Sequence, residues 1–108
     1  MEIHFKDNKI RRLCNDEAYA RQKFQPKIVQ GLKILVSKLS LYQKFDVFCS
    51  TDFLRQKYRP EELQGDKIGL KSLRIDHSYR MTLTVAVEEN ENGEDIITIL
   101  EVSNHYGD

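Results

Sequence analysis

Residues Arg59 to Arg80 read RPEELQGDKIGLKSLRIDHSYR. The stretch opens on Pro60 and two carboxylates, passes a Gly65-Asp66 turn, and from Gly69 onward settles into a two-residue period. Leu73 and Ile75 alternate with Ser72, Arg74 and Asp76. Beyond a bend at Asp76-His77-Ser78, Tyr79, Met81, Leu83, Val85 and Val87 alternate with Arg80, Thr82, Thr84 and Ala86. Period two sends successive side chains to opposite faces of a strand, so the stretch starts a sheet with one apolar face. Asn92-Gly93 then predicts a two-residue hairpin turn, because both central positions of a type I′ turn need positive φ. A last strand follows in IITILEV, residues 96–102.

Pairing apolar with apolar sets an expected register. A bend centred on His77 puts Ile75 against Tyr79, Leu73 against Met81 and Arg74 against Arg80. A turn at Asn92-Gly93 puts Glu91 against Glu94, Val85 against Leu100, Leu83 against Val102 and Arg80 against His105. Three neighbouring strands then carry Arg74, Arg80 and His105 in one row. Like charges directly opposite destabilise a sheet, so the row fits an anion or carboxylate held between the arginines. Two solvated arginines with Asp76 or Glu101 nearby fit the same pattern. Ile97 and Ile99 fall on the face of the row, and the pairing offers no reason for apolar residues there. His105 alone reads first as a surface or structural histidine, and becomes a candidate catalyst through its place beside an arginine and a tyrosine at the chain end. His4 reads as structural and His77 as a turn residue.

The first half of the chain is helical. EIHF, residues 2–5, alternates and predicts a short strand. Asp7 or Asn8 caps a helix through about Cys14, and Asn15-Asp16 starts a second, EAYARQKF, unless the two form one bent helix. Pro26 to about Ser40 carries Ile28, Leu32, Leu35 and Leu39 at helical spacing, with proline in the first turn where its missing N–H does no harm. That stripe faces the core or, less simply, a partner. Gly31 inside it costs about 1 kcal/mol against alanine, which points to close packing there. LYQKFDVFCSTDFLRQKY, residues 41–58, has no steady period and reads as irregular, with room for one helical turn at Ser50, Thr51 or Asp52.

The totals bound the class. A chain of 108 residues is one domain, 1–108, with one modest core. No apolar run reaches the roughly 18 residues that cross a bilayer, and MEIHFKDNK has no apolar signal region, so a cytoplasmic protein without a membrane partner is expected. Cys14 and Cys49 lack metal-site spacing and read as reduced, buried thiols. The net charge of zero hides an asymmetry: residues 1–80 hold all 17 basic and 10 acidic residues, residues 81–108 seven acids and no base. Phosphate binding therefore belongs to the first eighty residues, although most single lysines there are ordinary solvated ones.

Taken together, RPEELQGDKIGLKSLRIDHSYRM, the closing ILEVSNHYGD and the FKD start resemble the RelE/ParE superfamily of bacterial toxins, and within it the HigB-like killer proteins. The pattern L-x-G-D/N-x-x-G-x-x-S-x-R-I-x-x-x-x-R is met by Leu63, Gly65, Asp66, Gly69, Ser72, Arg74, Ile75 and Arg80. The closing His105-Tyr106 has the order of YoeB-like toxins, where HigB-like chains end in Asp-Tyr-His. Gln64 stands where many relatives have lysine, and the neutral charge departs from the basic character of ribosome-dependent toxins.

The resemblance implies an α+β fold, with N-terminal helices packed on a twisted, mainly antiparallel sheet. It implies a toxin held by a cognate antitoxin, a small helix-turn-helix protein in a hetero-oligomer, that cuts mRNA on the ribosome without metal or other cofactor. Carried over by motif, Glu61 is the base that takes the ribose 2′-hydroxyl proton, with Glu62 as its neighbouring alternative. Arg80 stabilises phosphoryl charge, His105 protonates the leaving oxygen and Tyr106 stacks on a base or orients the phosphate. Arg74, Lys67, Lys71 and Arg59 hold phosphates. A ParE-like gyrase inhibitor without nuclease chemistry and a non-toxic antitoxin-binding relative are the alternatives.

Overall fold

The computed structural model describes residues 1–76 and 81–104. Strand β1 (Glu2–Phe5) leads into helices α1 (Asn8–Asn15), α2 (Glu17–Lys23) and α3 (Pro26–Ser40). Asp7 caps α1, its Oδ1 accepting from the Ile10 N–H at 2.9 Å, and Asp16 caps α2 by accepting from the Tyr19 N–H at 3.1 Å. Asp16 has extended backbone, so the first helices are two elements and not one bent rod. The apolar stripe of α3 is core: Ile28, Leu32, Leu35 and Leu39 are buried. A Cβ at Gly31 would sit 3.1 Å from Ile75 Cγ2 and 3.2 Å from the Ile75 carbonyl oxygen, so glycine lets α3 lie directly on the sheet.

Residues 41–60 correct the expectation of an irregular segment. They form helices α4 (Phe45–Ser50) and α5 (Asp52–Tyr58). Neither completes two turns, so neither repeats a period long enough to read. Their apolar residues build an aromatic cluster: Phe48 stacks on Phe45 at 6.3 Å and on Tyr58 at 5.9 Å, and Tyr42 meets it edge-on at 5.5 Å. The start of α4 is tied down from far along the chain. Buried Asp95 accepts the Phe45 N–H at 2.6 Å and the Lys44 ammonium at 3.1 Å, while its own N–H donates to the Gln43 carbonyl at 2.9 Å. Contacts first to Glu89 and then to Asp95 raise the Lys44 pKa.

The remaining elements are β2 (Glu61–Glu62), a 3₁₀ turn (Gly65–Lys67), β3 (Lys71–Asp76), β4 (Met81–Glu89) and β5 (Asp95–Asn104). They join β1 in one five-stranded sheet of order β1-β5-β4-β3-β2, parallel between β1 and β5 and antiparallel elsewhere. This is the expected α+β arrangement.

The registers differ from expectation in two informative ways. Between β4 and β5 the pairs nearest the turn are Glu89 with Asp95 and Glu88 with Ile96. The turn is therefore not a two-residue one, and Val85 faces Ile99 instead of Leu100. Asn90 organises it: its Oδ1 accepts the N–H groups of Asn92 and Glu94, and Gly93 takes the positive φ of 79°. Leu100 is then an extra residue between the Val85–Ile99 and Thr84–Glu101 pairs. This bulge restores the expected Leu83–Val102 pair and carries Ile97 and Ile99 into the core at 0% exposure. Between β3 and β4, Leu73 faces Leu83 and Arg74 faces Thr82, two residues from the expected partners. The expected partner Arg80 lies outside the described residues. A slip of two leaves every side chain on its own face, so apolar matching cannot detect it.

Replacing Gly31 by alanine trades about 1 kcal/mol of helix propensity against an overpacking cost of about 1–3 kcal/mol. Because one blocking atom is a backbone carbonyl, Gly31→Ala is expected to lower stability by about 1 kcal/mol in urea unfolding. A variant more stable than the parent would show that α3 can move off β3.

Candidate functional site: a polar row across the sheet

The site begins at a strained turn. Helix α5 ends on Arg59 with φ 42° and ψ 64°, its N–H donating to the Arg55 carbonyl at 3.0 Å. A left-handed residue other than glycine is uncommon, and a following proline restricts it further. The turn sends Pro60, Glu61 and Glu62 back along β3, so that Glu61 faces Ser72 and Glu62 faces Lys71. Glu61 thus lies in the sheet, beyond the strands whose pairing the sequence allowed to be counted.

From there a polar row crosses four strands on the face turned away from α3. Glu61 faces Ser72, Ser72 faces Thr84, and Thr84 faces Glu101. One step along, Arg74 faces Thr82 and Thr82 faces Ser103. Diagonal neighbours across a pair lie about 7–8 Å apart, so Glu61 and Arg74 can address one small group between them. The row is not open surface, since Ser72, Thr82 and Thr84 are buried. The loop between β2 and β3 borders it. Its base is closed by the Leu63 N–H donating to the Leu70 carbonyl at 3.0 Å, and Lys67 Nζ reaches to 4.0 Å from the Glu101 carboxylate on β5. Gly65 at φ 70° and Gly69 at φ 94° supply the turns at the loop's two ends. The Thr84 and Ser103 hydroxyls are buried with no hydrogen-bond partner among the described residues. The Thr82 hydroxyl donates to the Ser103 carbonyl at 3.4 Å.

The structure brings Glu61 and Arg74 to this row and sets Lys71 and Arg59 elsewhere. Lys67 reaches it but is paired with Glu101. Lys71 has the parity of Leu73 and Ile75 and sits on the opposite face in contact with Glu62, whose carboxyl it pulls below the usual range. That pair borders a cleft of about 180 Å³ lined also by Asp46, Cys49, Pro60 and Glu61. Arg59 is exposed at the end of α5. Arg80, His77, His105 and Tyr106 lie outside the described residues. His4 is an exposed edge residue 3.3 Å from Glu2, not a structural one. Sequence reasoning assigned no role to Ser72, Thr82, Thr84 or Ser103 and treated Glu101 only as a possible neighbour of the arginines; the signal for the threonines was their alternation with Leu83 and Val85.

Both cysteines are free and half-buried. Burial pushes the Cys14 thiol to about 12, beside a cavity of about 40 Å³ between the first three helices. Cys49 is raised to about 11 by burial and then by Asp46, with Lys71 opposing. Among the described residues no group of three or more His, Cys, Asp or Glu side chains is placed to hold a metal ion, and no helix is long and apolar enough to cross a membrane.

No protein-family profile matches the chain, and no curated protein sequence does. Solved structures do. The YoeB/ParE toxin from Agrobacterium tumefaciens superposes with a TM-score of 0.62 at 17% identity, over 98% of this chain and 100% of that one. The YoeB dimer from Staphylococcus aureus gives 0.58 at 23% identity, and the YoeB-YefM complex from the same organism 0.54 at 22%, each over 98% of both chains. The chain shares their fold from end to end.

Thr84→Val keeps the shape and removes a buried, unpaired hydroxyl. It is expected to raise stability by about 1 kcal/mol, read by urea unfolding, since an unsatisfied buried donor costs about 1–3 kcal/mol. The thiols titrate upward on folding, so the folded state loses stability as pH rises past the unfolded value of 9. At pH 8 both should react with Ellman's reagent at least about tenfold more slowly than in the unfolded chain, Cys49 ahead of Cys14. Native rates equal to unfolded ones would contradict that burial.

Proposed function

We propose that the chain is the toxin of a toxin–antitoxin pair and acts as a ribosome-dependent mRNA endoribonuclease of HigB-like or YoeB-like type in the cytoplasm. The observation that carries this reading is the polar row: Glu61 and Arg74, matched to the toxin motif, share one face of a sheet whose fold is that of the YoeB structures. Glu62 is engaged by Lys71 on the other face, which favours Glu61 over its neighbour as the base. In the proposed reaction Glu61 removes the 2′-hydroxyl proton, that oxygen bonds to the adjacent phosphorus, and the 5′-oxygen leaves with a proton from His105. Arg74 and Arg80 balance charge on the phosphoryl oxygens, and Tyr106 orients the base or the phosphate. A small antitoxin occludes the site in a hetero-oligomer, in keeping with a solved relative that is itself a complex, YoeB with YefM.

One neighbour is described as a YoeB/ParE toxin, which keeps the gyrase-inhibitor reading in play. Inducing the chain and mapping mRNA 5′ ends separates the two. Cuts within translated codons support the nuclease, and a DNA-damage response without cuts supports gyrase inhibition. No toxicity points to an antitoxin-binding relative. Arg80→Ala and His105→Ala should each lower cleavage at least about a hundredfold with the fold intact. Wild-type growth inhibition by soluble Arg80→Ala would remove Arg80 from the mechanism.

A further inference from the structure

Helix α3 carries Lys27, Lys33 and Lys38 and no carboxylate, and α5 carries Arg55 and Lys57 against Asp52 alone. Lys33 is paired with Glu17 at 3.6 Å and Arg55 with Asp52 at 3.0 Å. Lys38 and Lys57 meet no carboxylate among the described residues; they are held by two aromatic rings instead. Lys38 Nζ lies 5.2 Å from the Phe53 ring centroid and 5.7 Å from that of Tyr58, and Lys57 Nζ lies 5.9 and 5.6 Å from the same two centroids. Tyr58 is buried beneath them, while Phe53 is 64% exposed. Ile34, one turn before Lys38, is also exposed.

We infer that this α3–α5 face is an RNA-binding surface in which Lys38 and Lys57 hold backbone phosphates and Phe53 stacks on an unpaired base. Two uncompensated ammonium groups around one exposed ring match what a nucleic-acid strand offers together, phosphate charge and an aromatic face. The two clefts described above lie elsewhere, among α1, α2 and α3 and between α4 and the β2–β3 edge; what this face presents is charge around a ring. The surface is also remote from the polar row. Helix α3 lies against Ile75 on the core side of β3, whereas Ser72 and Arg74 point to the other side. The RNA held here is therefore a different segment from any strand at the row. The inference goes beyond the cleavage reading and does not depend on it.

The test uses the full chain and a fluorescein-labelled 2′-O-methyl RNA hairpin with an unpaired loop, which offers no 2′-hydroxyl for cleavage. Binding is followed by anisotropy over a series of KCl concentrations. Lys38→Gln/Lys57→Gln is expected to weaken binding at least about tenfold at low salt. It should flatten the slope of log affinity against log salt by about 1.4, roughly 0.7 for each phosphate no longer neutralised. Lys38→Arg/Lys57→Arg should keep the slope, and Phe53→Ser should weaken binding while leaving the slope unchanged. Arg74→Gln, which removes a row residue, should leave the contribution of the patch intact. Affinity and slope indifferent to Lys38 and Lys57 overturn the inference. So does binding of poly-glutamate that needs the patch while RNA binding does not, which assigns the face to an acidic protein. Loss of cleavage in Arg74→Gln with patch binding retained, or the reverse, tells a failure of one reading from a failure of the other.

Discussion

Strand β5 is hydrogen-bonded on both sides, to β1 in parallel and to β4 antiparallel, so one extra residue in it decides what the sheet faces. That residue is Leu100. Ile97, Ile99 and Val102 all pack on the core, yet 97 and 99 have opposite parity to 102. A regular strand could bury the first two or the third, not all three. Burying a large aliphatic side chain is worth about 1.5–3 kcal/mol, so satisfying both parities outweighs the loss of one ladder position at the bulge.

The same bulge builds the candidate site. Without it Glu101 and Ser103 would share the face of Ile97 and Ile99 and point into the core, where an unpaired carboxylate is prohibitively costly. With it, Glu101 lies opposite Thr84 and Ser103 opposite Thr82, which completes the polar row begun by Glu61, Ser72 and Arg74. The partner that Lys67 finds across the sheet is Glu101, which the bulge turns to that face. Core packing and site geometry are thus two consequences of a single irregularity.

What could be read in the sequence follows from the range of each signal. Helix α3 and the faces of β3 and β4 were legible because their periods are local. Helices α4 and α5 were not: each is under two turns long, and the group that fixes α4 is Asp95, fifty residues downstream. Register failed where the criterion was blind: a two-residue slip puts Leu73 on Leu83 and Arg74 on Thr82 with every face unchanged, and the irregularity that pairs Asp76 with Met81 leaves no mark in the alternation. It succeeded at Leu83–Val102 only because the unread bulge offset a misread turn. In the site, the face of Arg74 was legible and its partner was not. Lys71 lies on the face opposite the row, as its parity with Leu73 and Ile75 implies. Glu61 came from resemblance alone, because β2 is two residues long and hangs on the left-handed turn at Arg59.

The departures from local preference gather around the row. Arg59 holds a strained conformation before a proline, and the Thr84 and Ser103 hydroxyls are buried without partners among the described residues. Among the described residues the helix–sheet core shows one comparable defect, the buried Tyr58 hydroxyl, and its phenol titrates upward through burial. Valine would fit the β4 position of Thr84 without the desolvation cost, and glycine would relieve Arg59. A sequence that keeps the costlier residue at both places is constrained there by something other than folding. Side-chain chemistry at the row is the constraint that fits, because a buried hydroxyl without a protein partner keeps a donor and an acceptor for a ligand.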